Sequence, residues 1–275
     1  MILNTYQKVC IGFFIILVIF WGALFASGAR DGFYNYSFVF LYGLIPLVGG
    51  AIAVKGYRVW GGLSTILGRA ILFMGLGLFL WGCGGAVWSF YNFFFHVEIP
   101  YPSLADLFFV PSVFFYTIGT VLISMTTGAR IGLSRASGKI FTAIAVMVAF
   151  ALAYYTIVVI GHGGQLVSDS ASAMKMLLDI AYPFGDAVSL AAALVVAGLS
   201  FRYLGGVYKY DIIFILSGLA VMFAADSSFS YATIVGTYYN GGVTDLLFTI
   251  GLFLLTCGIL GFNKIKNAGS GQVAS

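Results

Sequence analysis

The run Leu177–Phe201, LLDIAYPFGDAVSLAAALVVAGLSF, carries Tyr182-Pro183-Phe184-Gly185-Asp186 inside an otherwise apolar stretch. It is longer than the ~20 residues that cross a ~30 Å hydrocarbon core at 1.5 Å per residue. Proline removes a backbone hydrogen bond, and glycine lets a second helix come close. An ionised carboxylate near mid-bilayer costs at least ~2.5–3.5 kcal/mol, so Asp186 should face protein or water rather than lipid. The stretch reads as a membrane helix interrupted for a reason.

The rest of the chain agrees. It is 61% hydrophobic and 8% charged, with a mean hydropathy of +1.04. Soluble domains carry about 25% charged residues, so the composition is that of a polytopic membrane protein of all-α class. Eight apolar segments are expected at 9–28, 36–54, 67–94, 104–126, 140–160, 174–201, 212–235 and 244–262, forming one domain over 1–266. Residues 267–275 are polar and expected to be a disordered cytoplasmic tail. Lys8, the apolar run after it and Ala26-Ser27-Gly28-Ala29 resemble a signal peptide, but the length of the run favours a retained helix.

Basic residues set the topology. With the N-terminus inside, eleven of the thirteen Lys and Arg fall on the inner side, and Arg30 and Lys175 fall on the outer. That bias gives N-in and C-in in a multi-pass plasma-membrane protein. The net charge of +4 therefore reports orientation and not nucleic-acid binding. Aromatic residues mark the two interfaces: Tyr57, Trp60, Tyr203, Tyr208 and Tyr210 inside; Tyr34, Tyr36, Trp88, Tyr91, Tyr101, Tyr231, Tyr238 and Tyr239 outside. Several of the outer tyrosines could equally line a ligand mouth. Small residues at intervals of four (Ala145, Ala149 and Ala153; Ala187 and Ala191; Ala220 and Ala224) and the cluster Gly75, Gly77, Gly82, Gly84 and Gly85 read as packing seams.

An internal repeat is expected. Offset by 139 residues, Leu80–Gly119 aligns without a gap on Leu219–Gly258, and ten of the forty positions are identical. Apolar bias does not generate the matches Ser89-Phe90 with Ser228-Phe229, Asp106-Leu107 with Asp245-Leu246, and Thr117-x-Gly119 with Thr256-x-Gly258. The unit is a helical hairpin, and the repeat is parallel, unlike the inverted repeats of many transporters. Segments five and six look like a third copy, in which Asp186 or Asp179 takes the Asp106 position. Segments one and two read as a degenerate fourth. Helix-interior prolines occur in descending segments only: Pro46, Pro111 and Pro183 are expected kinks, able either to improve packing or to open a cavity.

Carboxylates are the candidate site. Asp186 sits near mid-depth and Asp226 in the outer third of its segment, neither with a basic partner at its own depth. They either contact a ligand, proton or cation or tie helices together. Asp106 and Asp245 begin descending helices, where a carboxylate is favoured by the helix N-terminus, and they could also form an acidic vestibule with Glu98. Tyr182 completes the ligand-binding set. Cys10, Cys83 and Cys257 lie in apolar segments without CxxC spacing, and no metal or cofactor site is indicated. There is no HExxH, P-loop or nucleophile elbow, and no catalytic residue is assigned. Gly185-Asp186 with Tyr210-Asp211 is faintly similar to intramembrane aspartyl proteases, but the order is reversed, Pro183 replaces a glycine, and Asp211 falls at another depth.

Three stretches carry a broader resemblance: Pro100–Leu107, Leu178–Asp186, and Ala225-Asp226-Ser227 with Gly236-Thr237-Tyr238 and Thr244–Leu247. They resemble the multi-helix membrane sensor regions of prokaryotic signalling proteins, usually found before PAS, histidine-kinase or GGDEF domains. The resemblance implies a sensory module that signals through its last helix. No output domain follows Lys266 in this sequence, so it further implies a cytoplasmic or membrane signalling partner. The expected function is a stand-alone membrane module that binds a small or lipophilic ligand in an outward cavity. A proton- or cation-coupled transporter or channel is the alternative, and an aspartyl protease the remote one.

Overall fold

The structure is a computed structural model, described for residues 3–98, 101–126, 133–155, 173–200 and 208–263. The side chain of Pro183 and the 267–275 tail lie outside what is described. Among the described residues eight long helices follow one another: α1 (Thr5–Ser27), α2 (Phe33–Gly56), α3 (Ile66–Phe90), α4 (Asp106–Thr126), α5 (Ala136–Ala153), α6 (Ala173–Ser200), α7 (Lys209–Ile234) and α8 (Val243–Leu260). By length and composition seven can cross a membrane, and α6 contributes a shorter apolar stretch, Phe184–Leu199.

The helix limits follow local chemistry. α1 starts four residues before the apolar run because Asn4 and Gln7 form a capping box. The Asn4 side chain accepts from the Gln7 N–H at 2.9 Å, and Gln7 Oε1 accepts from the Asn4 N–H at 3.2 Å. Gly28, at φ +72°, ends the helix in the left-handed conformation that glycine adopts without penalty. Pro46 and Pro111 lie within continuous α2 and α4. Each removes one backbone hydrogen bond, to the carbonyls of Tyr42 and Leu107 respectively.

Six helices make a ring. α2 packs on α3, α3 on α4, α4 on α6, α6 on α7, α7 on α8, and α8 back on α2. α1 lies outside against α8 and α2, and α5 lies outside against α6. The outer two bury little: α1 buries Gln7, Cys10, Leu17 and Leu24, a single narrow stripe. α5 buries Gly138, Ala145, Ala149 and Ala153, the small-residue seam expected there. The six glycines of α3 are all buried. Any side chain at Gly50 would bring its Cβ within 2.4 Å of the Phe79 backbone nitrogen, so α2 and α3 touch backbone to backbone. The expected seam at Ala220 and Ala224 is a correction: both are exposed, and α7 meets α8 through Gly218 instead. Leu255 occupies the groove that Gly218 leaves open, and this turns the alanine face of α7 outward.

The end of α8 is held by side chains from the far end of the sequence. The last carbonyls of a helix have no partner within it. Here Gln7 Nε2 donates to the Cys257 carbonyl at 3.0 Å, Asn4 Nδ2 to the Leu260 carbonyl at 2.7 Å, and Trp60 Nε1 to the Phe262 carbonyl at 3.1 Å. Gln7 Nε2 also donates to Asp211 Oδ1 at 2.8 Å, and both residues are fully buried. Gln7→Ala should therefore lower stability by about 1–3 kcal/mol, because it strips a buried carboxyl and a carbonyl of their donor. Val9→Ala, at a position 67% exposed, should change stability by less than about 0.5 kcal/mol. Thermal unfolding of both variants in the same detergent checks the contrast; equal shifts would refute it.

Candidate functional site

A cavity of about 340 Å³ lies inside the six-helix ring, towards the end that carries Asp245. Every ring helix contributes to its wall: Tyr42 from α2, Trp81 and Trp88 from α3, Phe109 and Tyr116 from α4, Tyr182 from α6, Asp226 and Phe229 from α7, and Asp245 and Phe248 from α8. Helices α1 and α5 do not reach it. The wall is largely aromatic, with Trp81 5.1 Å from Phe109 and 5.8 Å from Phe248 between ring centroids.

Four of the five residues expected to bind ligand line this cavity: Asp106, Asp226, Asp245 and Tyr182. The fifth, Asp186, is buried behind the wall, and its carboxyl hydrogen-bonds to that of Asp226. A hydrogen bond between two carboxyl groups requires a proton on one of them, so the pair carries at most one negative charge between two side chains. Gly185 lets α6 lie close to α4, since a Cβ there would lie 3.0 Å from Val113.

Asp106 and Asp245 are built alike. Each sits in the first turn of its helix and accepts a backbone N–H from its own loop through Oδ2: Ser103 at 2.7 Å for Asp106, Gly241 at 2.6 Å for Asp245. Each uses Oδ1 for a tyrosine hydroxyl from another helix. Tyr182 of α6 donates to Asp106 at 2.6 Å, and Tyr42 of α2 donates to Asp245 at 3.2 Å. The helix-start role and the cavity role, weighed against each other in the sequence, are met by the same atoms. The Tyr238 hydroxyl lies 3.2 Å from Asp245 Oδ1. Burial, reinforced by the nearby Asp245 carboxyl, pushes the Tyr238 hydroxyl well above its ordinary value, so it remains a donor through the alkaline range.

The loop after α7 closes this end through Asn240, which sequence reasoning did not single out. Asn240 is fully buried: its Oδ1 accepts from Trp88 Nε1 at 3.1 Å, its Nδ2 donates to the Glu98 carbonyl at 3.0 Å, and its own carbonyl accepts from Asn35 Nδ2 at 2.7 Å. Glu98 takes part through its backbone and does not line the cavity. Its carboxyl is raised above the usual range by partial burial and by Asp31.

Tyr36, Trp88 and Tyr238, placed in the outer aromatic belt on sequence grounds, are instead buried. Trp88 and Tyr238, with Tyr101, line the cavity, whereas Tyr34 and Tyr231 stay exposed. Asp186 and Asp211 are not brought together. Asp211 opens α7 beside Gln7, fifteen residues before the Asp226 that pairs with Asp186. Among the described residues no cluster of His, Cys, Asp or Glu could hold a metal ion. Comparison with family models, curated proteins and solved structures finds no match to this chain.

Asp245→Ala should destabilise the protein by about 1–3 kcal/mol, because the Gly241 N–H and the hydroxyls of Tyr42 and Tyr238 would lose a buried acceptor. A double-mutant cycle on Asp186→Ala and Asp226→Ala should show a coupling of about 0.5–3 kcal/mol in unfolding free energy. Strict additivity would mean that the two carboxyls do not interact.

Proposed function

We propose that the chain is a multi-pass plasma-membrane sensory module, which binds a small or lipophilic ligand in the six-helix cavity and signals through a cytoplasmic or membrane partner. The observation that carries the reading is the cavity itself. It is aromatic, of about 340 Å³, with a few converging polar groups, and it gathers four of the residues chosen from sequence alone. Ligand sites are typically concave, mostly apolar and provided with few polar groups, at volumes of about 300–1,000 Å³.

In this reading the termini are cytoplasmic and the Asp245 end faces outward. The charge bias supports that orientation: Lys8, Lys55, Arg58, Arg69, Arg135, Lys139 and Lys209 all flank the opposite helix ends. The parallel repeat is supported by equivalent positions meeting one cavity, Asp106 with Asp245 and Phe109 with Phe248. Helix α8 is the route inward. It carries Asp245 in its first turn on the cavity wall and ends about 22 Å further along, where Asn4 and Gln7 hold its last carbonyls. Ligand that repositions Asp245 therefore acts on the α1–α8 contact, provided that it binds the two arrangements with different affinity.

The purified full chain in nanodiscs should show thermal shifts for members of a metabolite and lipid panel. Those hits should disappear in Ser230→Phe, which fills the cavity from α7, and weaken at least tenfold in Asp226→Ala. No hit, or hits indifferent to both variants, would sink the reading. The Asp186–Asp226 carboxyl pair favours a second reading, proton-coupled transport. Substrate-dependent proton uptake in liposomes that is lost in both Asp186→Asn and Asp226→Asn would replace sensing with transport.

A further inference from the structure

Resting on the ligand-binding reading, the cavity wall also specifies the charge of its occupant. We propose that the site takes a small hydrophobic organic cation: an ammonium head on an apolar body.

The electrostatic part comes from what accompanies the carboxyls. Asp106, Asp226 and Asp245 reach the cavity from three different helices, and none of its described lining residues is Lys, Arg or His. Asp106 accepts from the Tyr182 hydroxyl and the Ser103 N–H. Asp245 accepts from the Gly241 N–H and the Tyr42 hydroxyl. These donors are neutral. They fix the carboxyls in position without cancelling charge, as a lysine or arginine would. Asp226 shares a proton with Asp186 behind the wall, so this pair contributes at most one negative charge. An anion would be repelled, and a neutral ligand would leave this charge buried and unanswered.

The aromatic part decides between kinds of cation. Trp81, Trp88, Phe109, Phe229 and Phe248 surround the space, with Trp88 5.9 Å from Phe229 and Trp81 5.1 Å from Phe109. The face of an aromatic ring attracts a cation within about 6 Å of its centroid, tryptophan most strongly, and such cages recognise quaternary ammonium groups. An inorganic ion fits poorly. It needs converging oxygen ligands, whereas both oxygens of Asp106 and of Asp245 already accept hydrogen bonds, and no metal-holding cluster occurs among the described residues. A soft cation with a bulky apolar body uses both the charge and the rings. At about 340 Å³ the space suits a small molecule and not a peptide.

Trp81 and Trp88 lie in the wall, so tryptophan fluorescence reads occupancy directly. Three probes of similar shape separate charge from shape: benzyltrimethylammonium, its uncharged carbon isostere neopentylbenzene, and the anion 3-phenylpropanoate. Each is titrated into the full chain in nanodiscs, with free concentrations corrected by empty nanodiscs. The ammonium should bind at least tenfold more tightly than the isostere, and the anion should not bind. Asp106→Asn and Asp226→Asn should each weaken the ammonium at least tenfold while leaving the isostere within twofold. The retained isostere also shows that the variant cavity is intact. Equal or tighter binding of the isostere or the anion overturns the cation assignment and leaves the cavity reading standing. Binding of none of the three overturns both.

Discussion

In a hydrocarbon environment every buried donor and acceptor must find its partner within the protein, and the rest of this structure depends on that requirement. At the Asp245 carboxyl it draws together three elements: α2 through Tyr42, the loop before α8 through Gly241 and Tyr238, and α8 itself. At Asp106 it draws together α4 and α6. At Asp211 and the last turn of α8 it draws α1 in from the start of the sequence. Apolar packing alone gives weak preference for one arrangement of helices in lipid, since neighbouring lipid tails are as apolar as leucine. Polar contacts of this kind select one arrangement among many.

Glycine supplies the other half of the selection. The buried glycines of α3 let α2 and α4 approach until backbones touch, as at Gly50 with Phe79 and Gly77 with Tyr116. Close contact along α3 draws the helices together on that side of the ring, while large rings fill the space on its inner side. Trp81, Trp88 and Phe109 extend where the glycines leave room: a Cβ at Gly84 would collide with the Phe109 ring at 2.6 Å. The cavity is thus a product of uneven side-chain size around a ring of six helices.

The fold was largely legible in the sequence because hydropathy reads out one residue at a time. The observed helices start within four residues of the expected segments, and the early start of α1 comes from the Asn4–Gln7 capping box, a polar signal ahead of the apolar run. The site was legible in part. Asp106, Asp226 and Asp245 stood out because a carboxyl in an apolar helix is expensive wherever it points. Their companions did not stand out. Asn240, Asn35 and Gln7 are ordinary residues for loops and helix starts, and only the meeting of elements some 200 positions apart buries them. The pairing of Asp186 with Asp226 was equally hidden. It depends on the rotation of α6 against α7, and a hydropathy profile carries no information about that angle.

The same reasoning explains why Trp88 and Tyr238, read as belt residues, are buried against the cavity. An aromatic residue with a polar tip suits a headgroup layer and a cavity wall for one physical reason: it offers an apolar body and a single donor. Which environment it occupies is decided by whether a buried acceptor lies within reach. Trp88 has Asn240 Oδ1 at 3.1 Å, and Tyr238 has Asp245 at 3.2 Å. Tyr34, with 68% of its surface exposed, stays outside. Buried acidic and amide groups near one end of the ring therefore act twice. They recruit amphipathic rings from neighbouring helices, and in doing so they line the cavity with the aromatic faces that suit it to hold a cation.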